Sequence, residues 1–122
     1  MASITIRTLG GVTVVDVSGP LVLSEGAGGL RDTVRGLIVQ GGRQLLLNLA
    51  AVTFLDSAGV GELIAARTAA LNRGAELKLL RPSRKVFEVL HGTRVARVFE
   101  ILQDEAEAVG SFAESAEAAE ER

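Results

Sequence analysis

The sequence predicts an α/β fold. It reads as a single domain with a mixed, four- to five-stranded sheet and helices packed mainly on one face, in the order β-β-α-β-α-β-α-β-α. Three observations carry this reading. Two β-rich runs flank the dipeptide Gly10-Gly11. After them, apolar runs of strand length alternate with stretches whose apolar residues recur at helical spacing. That alternation, from the second strand onward, calls for parallel pairing through right-handed crossovers, and the opening hairpin adds an antiparallel strand.

The elements follow in order. Ile4, Ile6 and Leu9 precede Gly10-Gly11, and Val12, Val14, Val15 and Val17 follow, which makes a hairpin about a Gly-Gly turn. Ser18-Gly19-Pro20 ends the second strand. Leu30, Val34, Leu37 and Ile38 keep helical spacing and place a first helix from about Ser24 to Gln40. Its opening turn is weak, because Gly26, Gly28 and Gly29 each cost about 1 kcal/mol inside a helix. Gly41-Gly42 is a suitable stop. Leu45–Leu49 is the third strand. Val60, Leu63, Ile64 and Leu71 fall on one face of a second helix, from about Asp56 to Arg73, which Gly74 closes. Glu76–Leu80 is the fourth strand. Arg81-Pro82-Ser83 breaks the chain, and Ser83 caps a helix over Arg84–His91 that carries Val86, Phe87, Val89 and Leu90. Gly92-Thr93 begins one more turn through Val98, and Phe99–Leu102 is a short last strand. Asp104 caps a C-terminal helix with Val109 and Phe112 as docking residues. The domain spans residues 1–112. Residues 113–122 form a polar, acidic tail, which is expected to fray over Glu114–Arg122.

Composition bounds the function. A chain of 122 residues is one ordinary domain with room for a proper core. With no cysteine, disulfides and cysteine–metal sites are excluded. The N-terminus lacks a basic start followed by an apolar signal core, and no apolar run approaches the ~20 residues of a membrane span. A soluble, cytoplasmic protein is expected, with no membrane attachment. The net charge of −2 hides an asymmetry. Residues 103–122 hold Asp104, Glu105, Glu107, Glu114, Glu117, Glu120 and Glu121 against Arg122, which leaves the body mildly basic. Those bases are scattered, apart from Arg84-Lys85 and the pair Arg94 and Arg97. There is no Trp or Tyr and the four Phe lie singly, so platforms for stacking bases are missing and no direct nucleic-acid partner is expected.

The chemistry gathers at Phe54-Leu55-Asp56-Ser57-Ala58-Gly59. An aspartate and a serine sit where a buried strand turns into a helix, and free backbone N–H groups point outward there. With Asp56 as the cap, Leu55 and Val60 form a hydrophobic staple, and Asp56 suits the positive helix end. Ser57 is then the first helical residue, its hydroxyl not needed for capping and facing solvent. Gly59 and Gly61 thin the surface beside it, so that a large partner can approach. In isolation, a good helix start is the better explanation of Asp-Ser, because such caps are common. Position favours more: in open α/β sheets sites gather beyond the carboxyl ends of the strands, and Pro20–Ser24, Phe54–Ser57 and Arg81–Ser83 all emerge there.

The stretch Phe54-Leu55-Asp56-Ser57-Ala58-Gly59-Val60-Gly61 resembles the Asp-Ser-x-Gly-hydrophobic-Gly signature of the STAS domain of bacterial anti-sigma factor antagonists. The resemblance covers roughly residues 3–112. It takes in the opening hairpin, Ser18-Gly19-x-Leu21, Leu47-x-Leu49 and Leu77–Leu80. It implies a STAS-like fold and a non-enzymatic regulatory module without cofactors. The implied partners are an anti-sigma factor serine kinase with a histidine-kinase-like ATPase fold and a PP2C-type phosphatase. The kinase would bind the unphosphorylated form, phosphorylate Ser57 and so release it. This would control sigma-factor-dependent transcription in a stress response. The implied contact face is Asp56, Ser57, Ala58, Gly59 and Glu62, flanked by Leu21, Val22, Leu23, Ser24, Glu25 and Ser83. Gly19-Pro20-Leu21-Val22 departs from the Gly-acidic-hydrophobic-Asp that antagonists often carry, and Glu25 is the nearest acid. That departure supports an alternative: a STAS scaffold or accessory subunit of a signalling assembly or of a lipid-transport ATPase. A weak homo-oligomer is compatible with the sequence, which leaves the oligomeric state open.

Other constellations carry less. His91 is the one histidine, lacks companion metal ligands, and suits the C-terminus of its short helix. Adjacent Asp56 and Ser57 cannot both serve a triad around it. Gly26-Ala27-Gly28-Gly29 lacks the Gly-Lys-Ser/Thr ending of a phosphate loop, and Gly59-Val60-Gly61 lacks a third glycine. Nucleotide binding at the 57 helix end is a weak alternative. Arg94 and Arg97, one turn apart, are either a solvated face or an edge that meets an acidic partner.

Overall fold

The computed structural model describes residues 2–120, with side chains except those of residues 26–28 and 114–120. Five strands form one sheet in the order β1-β2-β3-β4-β5. They are β1 (Ser3–Leu9), β2 (Val12–Leu21), β3 (Gln44–Leu55), β4 (Glu76–Leu80) and β5 (Ile101–Leu102). The β1–β2 pair is antiparallel and joins Leu9 to Val12 across the turn, and the other three pairs are parallel. Gly10 and Gly11 take φ of 56° and 79°, the left-handed pair that a two-residue hairpin requires.

The helices are α1 (Leu30–Val39), α2 (Ser57–Asn72), α3 (Arg84–Gly92) and α4 (Glu105–Glu120). Parallel strands that neighbour in chain order, each joined by a crossover of the same hand, put α1, α2 and α3 on one face. The larger core lies there. Val15, Val17, Leu45, Leu47, Leu49 and Leu79 of the sheet meet Leu30, Val34, Ile38, Val60, Leu63, Val86 and Leu90 of the helices. The other face carries a smaller core of Val12, Val14, Leu46 and Leu80 under Ala108 and Phe112 of α4. The run Leu45-Leu46-Leu47 is therefore buried on both sides, as a central strand of a covered sheet must be. Val109 packs beside Phe112 as expected, and Asp104 caps α4 through the Glu107 N–H at 2.9 Å.

Several elements differ from the sequence reading. The first helix is split. Leu23–Gly29 is a 3-10 segment and α1 starts at Leu30, because Gly29 turns left-handed at φ 63°. β2 does not end at Ser18-Gly19-Pro20 but runs on to Leu21 through register shifts at Asp16/Ser18 and Gly19/Pro20. Pro20 is tolerated because it sits at such an irregularity, beyond the last β1 pair at Ser18. β3 continues to Leu55, and β5 shrinks to Ile101–Leu102. On α2 the buried stripe is Gly59, Val60, Leu63, Ala66 and Ala70. Ile64 and Leu71 stand half out in solvent, because small residues let the helix lie close to the sheet along a stripe that passes them by. The backbone of α4 continues through residues 113–120, and the fraying expected over Glu114–Arg122 lies outside the described side chains.

Two polar clusters join the layers. Arg7 of β1 donates to Asp16 at 2.6 Å and to Glu105 of α4, while Asn48 of β3 donates to the same Asp16 at 2.8 Å. The Arg7 hydrogen bond holds the Asp16 carboxyl below its ordinary range, against the cost of burial. Under α4, Lys78 is almost fully buried and bonds Ser111 at 2.9 Å and Glu100 at 2.7 Å, with its ammonium 4.6 Å from the Phe112 ring centre. Its stem fills space while its charge stays partnered, the usual condition for burying a lysine.

Candidate functional site

Because β2, β3 and β4 are parallel, their carboxyl ends share one edge of the sheet. Three connections leave it: the segment after Leu21, the turn at Asp56 into α2, and Arg81-Pro82-Ser83 into α3. Asp56 organises two of them. Its backbone is extended (φ −102°, ψ −174°), as an N-cap requires. Oδ1 accepts from the Gly59 N–H at 3.0 Å, closing the first turn of α2. Oδ2 accepts from the Leu23 N–H at 3.0 Å, and the Asp56 N–H donates to the Leu21 carbonyl at 3.3 Å. One carboxylate thus clasps the helix start to the end of β2. The Leu23 N–H, then that of Gly59, holds its carboxyl below the ordinary range, so it is anionic near neutral pH.

Ser57 follows as the first residue of α2 and is exposed. Its hydroxyl has no hydrogen-bond partner among the described residues. Asp56 does the capping and has both oxygens engaged with backbone N–H groups, so it is committed to structure. The hydroxyl stands at the positive end of a 16-residue helix, where negative charge is accommodated.

The other expected contact residues separate into surface and support. Leu23, Ser24 and Glu25 are exposed, with Leu23 at 74 %. Val22, Ala58 and Glu62 are half-buried. Leu21 and Gly59 are buried, which corrects their placement on an exposed face. A Cβ on Gly59 would meet the Leu21 carbonyl oxygen well inside van der Waals contact and Leu55 Cδ1 at 2.6 Å. Gly59 is therefore the point where β2 passes closest to α2, and it sets the position of the helix end without thinning the surface. Gly61 is exposed with open space beside it. Ser83 caps α3, its Oγ accepting from the Val86 N–H at 3.2 Å, so that hydroxyl is taken.

The sequence reading missed a neighbour. Phe54 is 42 % exposed at the end of β3, and Lys85 in the first turn of α3 holds its ammonium 5.1 Å from the ring centre. Leu23 meets Asp56 through its backbone N–H, and Lys85 meets Phe54, both near the carboxyl ends of the parallel strands; Ser57 directly follows Asp56 in the chain. The pair Arg84-Lys85 was visible as a charge, but its reach to Phe54 depends on how α3 lies against β3. His91 stacks on Phe87 at 6.1 Å, in keeping with a helix-end role. Among the described residues no group of three or more His, Asp or Glu is placed to hold a metal, and no helix is long and apolar enough to cross a membrane.

Comparison with known proteins agrees with this fold. Residues 3–108 match the STAS domain. No curated protein matches the sequence. Among solved structures, an anti-sigma factor antagonist from Mycobacterium paratuberculosis is 21 % identical, with TM-score 0.78 and 91 % and 93 % of the two chains covered. The unphosphorylated anti-sigma factor antagonist SpoIIAA is 19 % identical, with TM-score 0.75 and 91 % and 96 % covered. The phosphorylated form of SpoIIAA, a Bacillus cell fate determinant, also aligns, at TM-score 0.66. The murine anion transporter Slc26a9 is 16 % identical with TM-score 0.67, covering 89 % of this chain but 18 % of the transporter. At these identities the likenesses establish the fold.

Proposed function

From the premise that the chain belongs to the STAS domain family, with anti-sigma factor antagonists among its structural neighbours, we propose that it is itself such an antagonist. In this reading it binds an anti-sigma factor serine kinase while Ser57 is free, and phosphorylation of Ser57 ends the complex. A PP2C-type phosphatase restores the free hydroxyl. One observation carries the reading: an exposed Ser57 hydroxyl, without a hydrogen-bond partner among the described residues, beside an Asp56 whose carboxylate is already committed to the fold. The domain then serves as a substrate and binding module, not as an enzyme.

The switch has a simple physical basis. The γ-phosphoryl group of ATP passes to Ser57 Oγ, the P–O bond to ADP breaks, and the serine proton goes to a base of the kinase. Phosphoserine adds about −1.5 to −2 charges at neutral pH. The N-terminus of α2 receives that charge, so the fold survives. Asp56 next to it is already anionic, and the face becomes strongly negative. A partner shaped for a small neutral serine then meets both a clash and an unpaired, desolvated dianion. Near that face the exposed Leu23 and the Phe54–Lys85 contact offer apolar surface and a cation, while Pro20-Leu21-Val22 carries no acid.

The test is recovery of partners from cell extract with the parent, Ser57→Ala and Ser57→Asp, together with mass spectrometry after incubation with the recovered kinase and ATP. Phosphate on Ser57, and a kinase retained by Ser57→Ala but lost with Ser57→Asp, is the expected result. Phosphate elsewhere with Ser57 untouched refutes it. A second reading, a STAS scaffold or accessory subunit of a larger assembly or of a lipid-transport ATPase, is favoured by the missing acids and by the similarity to a small part of a transporter. It predicts that the same pull-down yields a large particle or a membrane ATPase, independent of Ser57.

A further inference from the structure

Two non-glycine residues among those described take a left-handed backbone, Arg81 at φ 52° and Arg94 at φ 64°. An L-residue pays roughly 1–2 kcal/mol for this conformation, and such strain is retained where something else requires the side chain. Arg81 has an evident reason. Its N–H donates to the Leu102 carbonyl at 2.8 Å and its Nε to the Gln103 carbonyl at 2.9 Å, which tie the short β5 to β4.

Arg94 has no such internal reason. Its backbone makes the ordinary ending of α3: the Arg94 N–H donates to the His91 carbonyl at 3.0 Å and the Val95 N–H to the Leu90 carbonyl at 2.8 Å. A glycine at position 94 would make both bonds without strain. Among the described residues its guanidinium has no hydrogen-bond or ion-pair partner. The same holds for Arg97, three residues on in the 3-10 segment Ala96–Val98. Both line an open cleft of about 470 Å³ with His91, Gly92 and Ala96, a volume in the range of small-molecule sites. The acids on the adjoining segments are occupied: Glu88 pairs with Arg84 at 3.4 Å and Glu100 with Lys78 at 2.7 Å. The cleft thus offers two guanidinium groups with no ionic partner among the described residues, and their planar forks suit the oxygens of a phosphate.

The geometry points to an anion site between α3 and the 97 turn, in which Arg94 and Arg97 hold the phosphate of a phosphorylated small molecule whose body fills the cleft. This site is separate from Ser57, and it stands or falls independently of the antagonist reading. The test is NMR of the full chain, following the Nε–H resonances of Arg94 and Arg97 and the amides of residues 89–98. Inorganic phosphate and phenyl phosphate are titrated at constant ionic strength. Saturable shifts confined to this region are expected, with phenyl phosphate the tighter probe. Arg97→Gln and Arg94→Gly are each expected to weaken binding about tenfold, and Arg94→Gly keeps the fold because glycine suits its backbone. Shifts that never saturate, or variants that titrate like the parent, would overturn the site. Phenyl phosphate binding no tighter than inorganic phosphate would overturn the small-molecule assignment.

Discussion

Replacing Gly59 by alanine tests the close approach on which the Ser57 site rests. The added methyl meets the Leu21 carbonyl oxygen, which is backbone and cannot rotate away, as well as Leu55 Cδ1 at 2.6 Å and Leu21 Cβ at 3.1 Å. Relief requires the end of β2 to separate from α2. That movement stretches the Asp56 N–H bond to Leu21, now 3.3 Å, and the Leu23 bond to Asp56, now 3.0 Å. Overpacking a tight site costs about 1–3 kcal/mol, and an unyielding backbone atom puts this case at about 2–3. With an m-value in urea of about 1.5 kcal/mol/M, the midpoint falls by about 1.3–2 M, and Tm by about 8–12 °C. Gly61→Ala is the internal control. That site is exposed with open space and a helical backbone, so alanine there gains about 0.5–1 kcal/mol. Urea unfolding of both variants, followed by circular dichroism, settles the matter. If Gly59→Ala unfolds with the parent while Gly61→Ala is the destabilised variant, the reasoning about this junction is wrong.

Three more outcomes are expected. Asp16 and Asp56 both have carboxyls held below their ordinary value of 3.8, so the unfolded chain binds more protons as acid is added. Their contribution is fully present above that value and is lost as pH falls through the lower folded-state values. Thermal unfolding between pH 7 and pH 2 shows this, and Asp16→Asn or Asp56→Asn flattens the acid limb. An unchanged limb in both variants refutes the assignment. Lys85→Glu is expected to leave stability within about 0.5 kcal/mol, because the Lys85–Phe54 contact is at the surface. In the proposed function it slows association with the partner several-fold at low salt and less at high salt, read by surface plasmon resonance, and an unaffected rate removes Lys85 from the contact face. Lys78→Met is expected to be at least as stable as the parent. It removes a buried charge, Glu100 is exposed enough to hydrate, and Ser111 keeps its 2.6 Å bond to the Ala108 carbonyl. A loss of more than about 2 kcal/mol in urea would show that the Lys78 network stabilises the docking of α4.

Features written within a few residues of each other were legible in the amino-acid order alone. The Gly10-Gly11 hairpin, the Asp56, Ser83 and Asp104 caps, the Gly74 stop and the buried run Leu45–Leu49 need only local geometry and periodicity. So did the position of Ser57 as the first, uncapped residue of α2. Contacts between distant segments emerged only from the folded arrangement. The bond from Leu23 to Asp56 spans 33 residues and exists because two register shifts carry β2 as far as Leu21 beside Leu55. Gly59 turned from a surface glycine into a packing requirement for the same reason. The reach of Lys85 to Phe54, the burial of Lys78 beneath α4 and the lack of a partner for Arg94 among the described residues depend on how helices settle on the sheet. Hydrophobic patterning chooses which face a helix buries, but not how far along that face it slides. That distance is set by side chains meeting across the core, and it decides which charges find partners and which remain open to a ligand.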